Sequence, residues 1–305
     1  MSVDRFNSLL VCVDVSARGF DEEGPPPAAV QACLSEVNWI REQSGASVTL
    51  MTVVEGDDVD SEILDLARHR LEEIVLPHLK GDVEVAVSHG TAHVEIIRKV
   101  LRDGHDLVVL SARRAGRVHP TLVGSVSLHV LRQCPCPVFV APRTSETGPK
   151  VVLSAVALHD FTSSVLELSA AVVKLRGGQW HIYHCPEYPA EGGMRLKGAS
   201  VEETETYEAG VRKHAWDELH QLCDPLAEQT GVTPEFWMSE GLPSEQIVLA
   251  VRKLKADLLV LGTVGRPGLV AGLVGNTAEK VIHSVECSIL AVKPEGFESS
   301  VGLEG

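Results

Sequence analysis

An internal repeat constrains this chain of 305 residues more than any other feature. Residues 151 positions apart correspond, so that Asp106 matches Asp257 and the segment HGTAHVEII from His89 aligns without a gap with EGLPSEQIV from Glu240. The same register aligns further pairs near the end of each copy: Gly124-Ser125 with Gly275-Asn276, and Cys136 with Cys287. Two copies at a domain-sized period indicate tandem domains, because a solenoid needs at least about three short repeats.

Within each copy, short apolar runs alternate with amphipathic segments. Runs such as Leu107–Leu110 and Leu258–Leu261 are typical of buried strands, and the segments between such runs are typical of helices. This alternation predicts βαβ units with right-handed crossovers. The abundance of Val, Leu and Ala, with only 4% aromatic residues, favours a parallel α/β sheet over a β-sandwich.

The domain limits follow from a polar segment between the copies. Residues 143–150, RTSETGPK, are rich in turn-forming residues and are typical of a linker. We therefore predict one domain over 1–143, a second over 150–296 and a tail over 297–305. In the second domain, 190–200 is expected to be a loop, and 202–230 a long helix that Pro225 breaks or kinks.

A glycine-rich loop in the second copy is the strongest candidate site. It begins with Gly262 at the end of the strand Leu258–Leu261, continues through Gly265, and ends at Gly275-Asn276-Thr277 before a helix predicted over Ala278–Val285. Asn276 is expected to cap that helix. Such a loop presents backbone N–H groups at the positive end of a helix dipole, which is a ready site for phosphate.

The spacing of this loop, Gly-x2-Gly-x9-Gly-Asn, separates it from two common phosphate loops. A Walker A loop ends in Gly-Lys-Ser/Thr, and the dinucleotide fingerprint is the compact Gly-x-Gly-x-x-Gly. The loop resembles that of the universal stress protein family, whose ATP-binding members carry Gly-x2-Gly-x9-Gly-Ser/Thr; here Asn276 takes the place of Ser/Thr. Other segments carry the same resemblance: the first strand ending in Asp14, the DLVVL strand from Asp106, and CPVFVAP from Cys136.

The whole chain thus resembles a tandem universal stress protein. The resemblance implies an α/β fold in which each domain is a five-stranded, parallel, doubly wound sheet of the adenine-nucleotide alpha-hydrolase-like type, with helices on both faces. Ligands of such sheets bind beyond the carboxyl ends of the strands. The resemblance further implies a stress-response or regulatory protein that binds a nucleotide, ATP with Mg2+, and acts through unidentified protein partners. Both a monomer with pseudo-dimeric domains and a homodimer of chains are compatible with it.

The two domains retain different parts of the family pattern. Asp14 matches the aspartate that contacts the adenosine part in nucleotide-binding members, whereas Ala157 stands at that place in the second domain. In the first domain, Ser111 and Arg114 replace two glycines, and side chains there would crowd a phosphate against the backbone. The candidate nucleotide-binding residues are Gly262, Gly265, Gly275, Asn276 and Thr277 in the second domain, with Asp14, Gly124 and Ser125 in the first.

Each of these features has a structural alternative. The loop is also compatible with a turn kept for folding, and a strand-end aspartate such as Asp14 often caps the next turn. The departures from the family pattern favour a second hypothesis, a non-nucleotide tandem scaffold whose clefts are empty or hold another small ligand. An enzyme is disfavoured, since the sequence has no Gly-x-Ser-x-Gly elbow, zinc-protease helix or kinase motif set. Slow hydrolysis of ATP remains compatible with the sequence.

Charge and composition exclude several classes of partner. A formal net charge of −15 argues against binding nucleic acid or an anionic membrane surface. No apolar stretch is long enough to cross a bilayer, and the N-terminus lacks the basic start of a signal peptide. The 7 cysteines are scattered and odd in number, which favours reduced thiols and a cytoplasmic protein.

Three further groups of residues invite a functional interpretation, and each has a simpler structural one. Cys134 and Cys136 lack a partner pair at metal-binding spacing, so buried structural thiols are expected. His181 and His184 should face opposite sides of a strand, which disfavours a metal site. Core packing is expected for four aromatic residues of the second domain: Trp180, Trp216, Phe236 and Trp237.

Overall fold

The computed structural model describes residues 6–15, 25–56, 59–111, 123–141, 150–158, 161–263 and 275–303. This part of the chain forms an α/β fold built on one sheet of ten strands. The strands of the first domain are β1 (Ser8–Cys12), β2 (Ser47–Val54), β3 (Val83–His89), β4 (Leu107–Leu110) and β5 (Val138–Val140). Those of the second domain are β6 (Val151–Val156), β7 (Gln179–His184), β8 (Glu235–Met238), β9 (Leu258–Gly262) and β10 (Ser288–Val292).

The strand order is β3-β2-β1-β4-β5-β10-β9-β6-β7-β8, so the strand order of the second domain reverses that of the first along the sheet. Neighbouring strands within each domain run parallel, which confirms the two predicted five-stranded parallel sheets. The structure adds that these sheets are continuous, since β5 and β10 pair antiparallel with Ile289 opposite Val140. A two-fold axis between the repeats produces this antiparallel pairing of equivalent strands.

Helices cover both faces of the sheet. They are α1 (Ala28–Ser44), α2 (Ser61–Arg70), α3 (Ala92–Asp103), α4 (Ser125–Gln133), α5 (Thr162–Arg176), α6 (Glu191–Leu196), α7 (Val201–Thr230), α8 (Pro243–Leu254) and α9 (Asn276–Ser284). A π-helical turn, Leu71–Val75, and a 3-10 turn, Leu76–His78, extend α2. Alternate residues of one strand enter opposite core layers, as Leu9 packs in the layer of α1 and α5 and Leu10 in that of α3 and α8. The predicted doubly wound arrangement is therefore confirmed.

The repeat inferred from the sequence has a direct structural counterpart. The bounds of α3 and α8 lie 151 residues apart at both ends, and so do those of α4 and α9. The correspondence is lost between the second and third strands of each domain, where residues 55–82 join β2 to β3 but the longer segment 185–234 joins β7 to β8. The domains therefore share the helices next to the central joint and differ in the connection farthest from it.

The prediction of a loop over 190–200 is wrong for the middle of that segment, where the helix α6 spans Glu191–Leu196. Gly192 and Gly193 suggested a loop because each glycine costs a helix about 1 kcal/mol relative to alanine. Two contacts offset this cost: an ion pair one turn apart between Glu191 and Arg195, 2.5 Å, and a hydrogen bond from the Ala190 N–H to the Tyr207 hydroxyl on α7, 3.2 Å.

The long helix predicted over 202–230 is confirmed, and of the two effects expected of Pro225 the break does not occur, because α7 continues to Thr230; a kink stays a prediction. Proline removes one backbone hydrogen bond within the helix. The turns on either side of it are held by burial of Leu219, Cys223 and Leu226 in the core. Tertiary packing therefore outweighs the local cost of the proline. At the other end, Ser200 and Glu203 form a capping box that fixes where α7 begins.

Among the described residues, none of the helices combines the length and apolar character needed to cross a membrane.

Candidate functional site

The second domain contains a cavity of about 670 Å³ at the carboxyl ends of its strands. This volume lies within the range of roughly 300–1,000 Å³ that is common for small-molecule pockets. The ends of β6, β7 and β9 form its floor, and the first turns of α5, α8 and α9 reach its sides. The position is the one expected for ligands of open α/β sheets.

Both ends of the glycine-rich loop open into this cavity. Gly262 at the end of β9, and Gly275, Asn276 and Thr277 at the start of α9, all line it. The ends of the loop are held together because the Gly275 N–H donates a hydrogen bond to the Thr263 carbonyl, 2.9 Å. The structure thus brings together four residues that the sequence singled out, and the fifth, Gly265, lies outside the described residues.

The start of α9 differs from the sequence expectation in one respect. Asn276 was expected to cap the helix, but Gly275 is the N-cap and Asn276 is the first helical residue. Among the described residues, no side chain caps the first N–H groups of α9. The positive end of the helix dipole therefore faces the cavity together with the Asn276 and Thr277 side chains.

Gly262 has a packing partner inside the protein. A Cβ atom at this position would lie 2.5 Å from Cε2 of Phe161, which is closer than real Cβ atoms approach. Phe161 follows β6 and itself lines the cavity. The ring therefore covers part of the backbone that a phosphate would otherwise approach, and it gives Gly262 a structural role that needs no ligand.

The wall beside Phe161 is largely apolar. Ala157, at the place of the adenosine-contacting aspartate in the family pattern, lines the cavity with Leu158 and Val165. The Ala157 carbonyl accepts a hydrogen bond from the Thr162 hydroxyl, 2.7 Å, which shapes the turn into α5. Asp160, the acidic residue nearest to Ala157 in the sequence, lies outside the described residues.

Polar groups enter the cavity from the end of β7. His184 is 7% exposed, and its Nδ1 is 3.0 Å from the Val156 carbonyl oxygen. The Tyr183 hydroxyl forms a hydrogen bond with the Ser239 hydroxyl, and burial raises the pKa of Tyr183 despite that bond. Burial also raises the pKa of the Cys185 thiol. Tyr183 and Cys185 are therefore neutral near pH 7 and are not activated nucleophiles.

The roof of the cavity comes from α7, which the sequence analysis did not connect with the site. Val211, His214, Ala215 and Glu218 are spaced three or four residues apart, so they lie on one face of the helix and all line the cavity. The helical spacing was visible in the sequence, but it did not indicate what this face covers.

At the outer surface, a polar network joins α7 to the loop after β8. Arg212 donates to Glu240, 2.8 Å, and to the Tyr188 hydroxyl, 3.2 Å. The Tyr188 hydroxyl in turn donates to Glu240, 3.3 Å. Because Arg212 directly follows the lining residue Val211, this network ties the roof helix to the remainder of the domain.

The candidate residues of the first domain occupy equivalent places. Asp14 is exposed just after β1. Gly124 is the N-cap of α4 and Ser125 its first residue, as Gly275 and Asn276 are for α9. Ser111 directly follows β4 and is half-buried, whereas Arg113 and Arg114 lie outside the described residues.

The remaining candidates have structural environments. The predicted core packing is confirmed for Trp180, which is buried and whose indole N–H donates to Ser154, 2.9 Å. It is wrong for Trp216, which is 43% exposed and packs at the surface against Phe236, with ring centroids 5.5 Å apart. The Trp237 indole N–H donates to His181, 3.1 Å. Within the described part of the chain, none of these aromatic residues lines the cavity. No group of three or more His, Cys, Asp or Glu side chains there is arranged to hold a metal ion.

Comparison with known proteins agrees with this architecture. The model of the universal stress protein family matches the chain twice, over residues 6–142 and 149–293. Universal stress protein E of Photorhabdus laumondii is 26% identical over 268 residues, which cover 83% of each chain. Universal stress protein E of Escherichia coli K12 is 29% identical over 221 residues, which cover 72% of this chain and 70% of that one.

A solved structure shows the same fold along the whole chain. A protein of unknown function from Pseudomonas aeruginosa PAO1 superimposes with a TM-score of 0.67 at 21% identity, covering 97% of this chain and 95% of that one. Together, the repeated family match, the relatives that cover most of the chain and the doubled α/β fold lead to one conclusion. The chain belongs to the universal stress protein family as a tandem-domain member.

Proposed function

We propose that this stress protein binds a nucleotide, ATP with a divalent cation, in the cavity of its second domain and acts as a regulator rather than an enzyme. One observation carries the proposal: both ends of the family's glycine loop and the uncapped start of α9 open into the same cavity of about 670 Å³. Occupancy of the cavity would alter the binding of protein partners.

The phosphates would lie at the start of α9. Backbone N–H groups after Gly275 and the positive end of the helix dipole suit an anion. Asn276 and Thr277 add side-chain donors next to the same backbone groups. Gly265, which the sequence places in the same loop, belongs to this proposed phosphate site as well.

The adenosine part would occupy the space between β6, β7 and the roof helix α7. Ala157 offers no carboxylate to the ribose, so polar contacts there must come from groups such as His184, His214 and Glu218, which line that space. A ligand held mainly by its phosphates and by apolar contact with Phe161 and Leu158 is consistent with this lining.

A regulatory role fits the chemistry of the side chains that line the cavity. Because burial keeps Tyr183 and Cys185 protonated near neutral pH, neither supplies a nucleophile to the phosphates. We therefore expect turnover of ATP to be slow or absent, and multi-turnover phosphate release would contradict this part of the proposal.

The decisive experiment starts from protein purified without added ligand. The protein is denatured, and released small molecules are identified by mass spectrometry; in parallel, thermal unfolding is followed with and without ATP and magnesium. A ligand that binds only the folded state raises the melting temperature. Released adenine nucleotide or an ATP-dependent rise supports the proposal, and the absence of both overturns it.

A second candidate is a non-nucleotide ligand with an apolar body. The observation in its favour is the contact of Phe161 with Gly262, which places an aromatic ring beside the backbone where phosphate would lie, next to the apolar Ala157 and Leu158. The same mass spectrometry separates the candidates, since a released molecule without a nucleotide base would favour this one. If ATP does not displace that molecule from the protein, the second candidate is further supported.

A further inference from the structure

A pair of cysteines lies at the joint between the two domains. Cys134 directly follows α4 and is fully buried, and Cys136 lies two residues later, half-buried, just before β5. Their Sγ atoms are 3.5 Å apart. This turn leads into the strand whose antiparallel pairing with β10 makes the sheet continuous.

A buried lysine from the other domain lies beside this pair. Lys293 follows β10, is 6% exposed, and its Nζ donates a hydrogen bond to the Arg132 carbonyl in the last turn of α4, 3.0 Å. Burial lowers the pKa of Lys293 to about 8, and electrostatic interaction with Cys134 opposes that shift. Nζ also lies 4.8 Å from the ring centre of Phe297.

The surroundings of Lys293 lack the partner that a buried ammonium group normally has. Within the described part of the chain, no carboxylate forms an ion pair with it, and Cys134 is the acidic group that interacts with it. Burying a charge is costly unless it is paired. The hydrogen bond to the Arg132 carbonyl therefore holds this ammonium group of the second domain near the turn that carries the two thiols of the first.

We propose that Cys134 and Cys136, whose sulfur atoms already lie 3.5 Å apart, are a redox-active thiol pair that closes to a disulfide when a low-molecular-weight disulfide oxidises it. Cys136, the more exposed of the two, reacts first with the oxidant; its hydrogen bond with Cys134 and its burial raise its pKa, so this first step is expected to be slow and to become faster as the pH rises. Cys134 then resolves the mixed disulfide.

The two exchange steps conserve atoms and electrons. The Cys136 thiolate attacks one sulfur of the oxidant, forming a mixed disulfide and expelling a thiolate that takes up a proton. The Cys134 thiolate next attacks the sulfur of Cys136, breaks the mixed disulfide and expels the second thiolate, which is also protonated. The pair loses two electrons and two protons, and the oxidant becomes two thiols.

The geometry is close to what the bond requires. The sulfur atoms must approach from 3.5 Å to about 2.05 Å, and a separation of only two residues keeps the Cα atoms near each other. Disulfides in short, constrained loops are more easily reduced than structural ones, which makes closure reversible.

The second domain supplies an internal control. Cys287 corresponds to Cys136 by the repeat, but Val285 stands at the place of Cys134, so the second domain has only one thiol here. Burial raises the pKa of Cys287 to about 12, and the pKa of Cys136 is raised as well, so the two domains differ here in the presence of a second thiol and not in the acidity of the shared one. The proposed chemistry therefore belongs to one side of the joint.

The test uses the reduced, full-length, folded protein. It is incubated without oxygen in mixtures of oxidised and reduced glutathione, quenched with acid and alkylated in denaturant, and peptides are analysed by mass spectrometry. The expected product is a peptide with Cys134 and Cys136 both unlabelled and two hydrogens lighter, restored by dithiothreitol. Cys287 should remain fully alkylated.

Two variants sharpen the result. Cys136→Ser should abolish oxidation at Cys134, and Cys287→Ser should leave closure unchanged. The proposal is overturned if Cys134 and Cys136 stay alkylated in every glutathione mixture, or if glutathione remains attached to Cys136 without closure. The first assay needs no variant, so impaired folding of a variant does not affect it.

Discussion

The two domains share a framework and differ in what covers the carboxyl edge of their strands. In the first domain, residues 55–82 after β2 form the short helix α2 and its π and 3-10 extensions. In the second, residues 185–234 after β7 form α6 and the much longer α7. One face of α7 roofs the cavity that the glycine loop enters. A change in one connection, far from the joint between the domains, therefore distinguishes their candidate sites.

The cores of the domains differ in the same region. Trp180 on β7 corresponds by strand register to Val48 on β2, and Ser154 on β6 to Val11 on β1. The second domain thus carries a buried polar network in which Trp180 donates to Ser154 and Ser154 donates to Ser169, 2.7 Å. The first domain has aliphatic side chains at the places of Trp180 and Ser154. The second domain therefore differs from the first both in the helix that covers its cavity and in its buried core.

The largest expected difference between the domains is in how much a core substitution lowers the free energy of unfolding. Trp180→Ala should lower the free energy of unfolding by about 3–5 kcal/mol, because it leaves a large cavity and removes the hydrogen bond that the Trp180 indole N–H donates to Ser154. Val48→Ala at the corresponding place should cost only about 1.5–2 kcal/mol, since it removes two methyl groups. Urea unfolding monitored by circular dichroism measures both, and equal losses would contradict the assigned difference between the cores.

The next effect tests the difference in ligand binding. Gly275→Val places a branched side chain at the N-cap of α9, where the proposed phosphates lie, and should remove the stabilisation by ATP and magnesium. That stabilisation is about 2.7 kcal/mol when free ligand is at a hundred times its dissociation constant. The measurement is the ligand-dependent shift in melting temperature.

The matched control for this substitution is Gly124→Val at the N-cap of α4. Both glycines have negative φ angles, −59° at Gly275 and −86° at Gly124, so the valine is compatible with the backbone in each case. Gly124→Val should retain the full ATP-dependent shift. If both variants lose it, or neither does, the proposed restriction of the nucleotide to the second domain is wrong.

A third comparison concerns the end of the fourth strand in each domain. Gly262→Ala should destabilise the protein by about 1–3 kcal/mol, because its Cβ would meet the Phe161 ring. Ser111 at the corresponding place already carries a Cβ, so Ser111→Ala should change the stability by less than about 0.5 kcal/mol. In a double-mutant cycle, Phe161→Leu should relieve the cost of Gly262→Ala. If the effects of the two substitutions on stability simply add, contact with Phe161 is not the cause of the destabilisation by Gly262→Ala.

The smallest expected effect is a pH dependence that belongs to the first domain. Burial lowers the pKa of His105 from its ordinary 6.5, so the folded state binds a proton less readily than the unfolded state. The stability associated with neutral His105 is therefore present above pH 6.5 and is lost as the pH falls from there through the folded-state pKa. Ala256 occupies the corresponding place in the second domain.

His105→Ala consequently makes the first domain resemble the second and should reduce the slope of unfolding free energy against pH below 6.5. A residual slope is expected, because burial also lowers the pKa values of His93 and His181. The measurement is urea unfolding at several pH values. An unchanged slope would show that protonation of His105 does not contribute to the acid sensitivity of the fold.

The sequence predicted most of the fold because its patterns are local or repeated. The apolar run at Leu107–Leu110 matches β4 at both ends, and the run at Leu258–Leu261 begins where β9 begins and ends one residue before β9 ends. The register of the repeat, which aligns the segments from His89 and Glu240, also holds for the helices α3 and α8 within those segments. The error at α6, and the absence of a break at Pro225, arise where tertiary contacts outweigh local propensity.

The candidate site was predicted only in part. The spacing from Gly262 to Gly275 indicated a phosphate loop, and the structure places both residues on one cavity. The contact between Phe161 and Gly262 could not be predicted, because Phe161 lies about a hundred residues away in the chain. The roof formed by α7 was missed for a similar reason, since helical periodicity identifies a buried face without naming what it covers.

By itself, the sequence determined that the chain is a duplicated α/β protein and that the second copy keeps the glycine loop, because hydrophobic periodicity and fixed spacing are properties of neighbouring residues. Only the tertiary structure decided that the two sheets join through β5 and β10, that one face of α7 and both ends of the loop line one cavity, and that Lys293 donates a hydrogen bond across the joint to Arg132. These features depend on contacts between distant segments. Such contacts form only when burial of apolar surface brings those segments together.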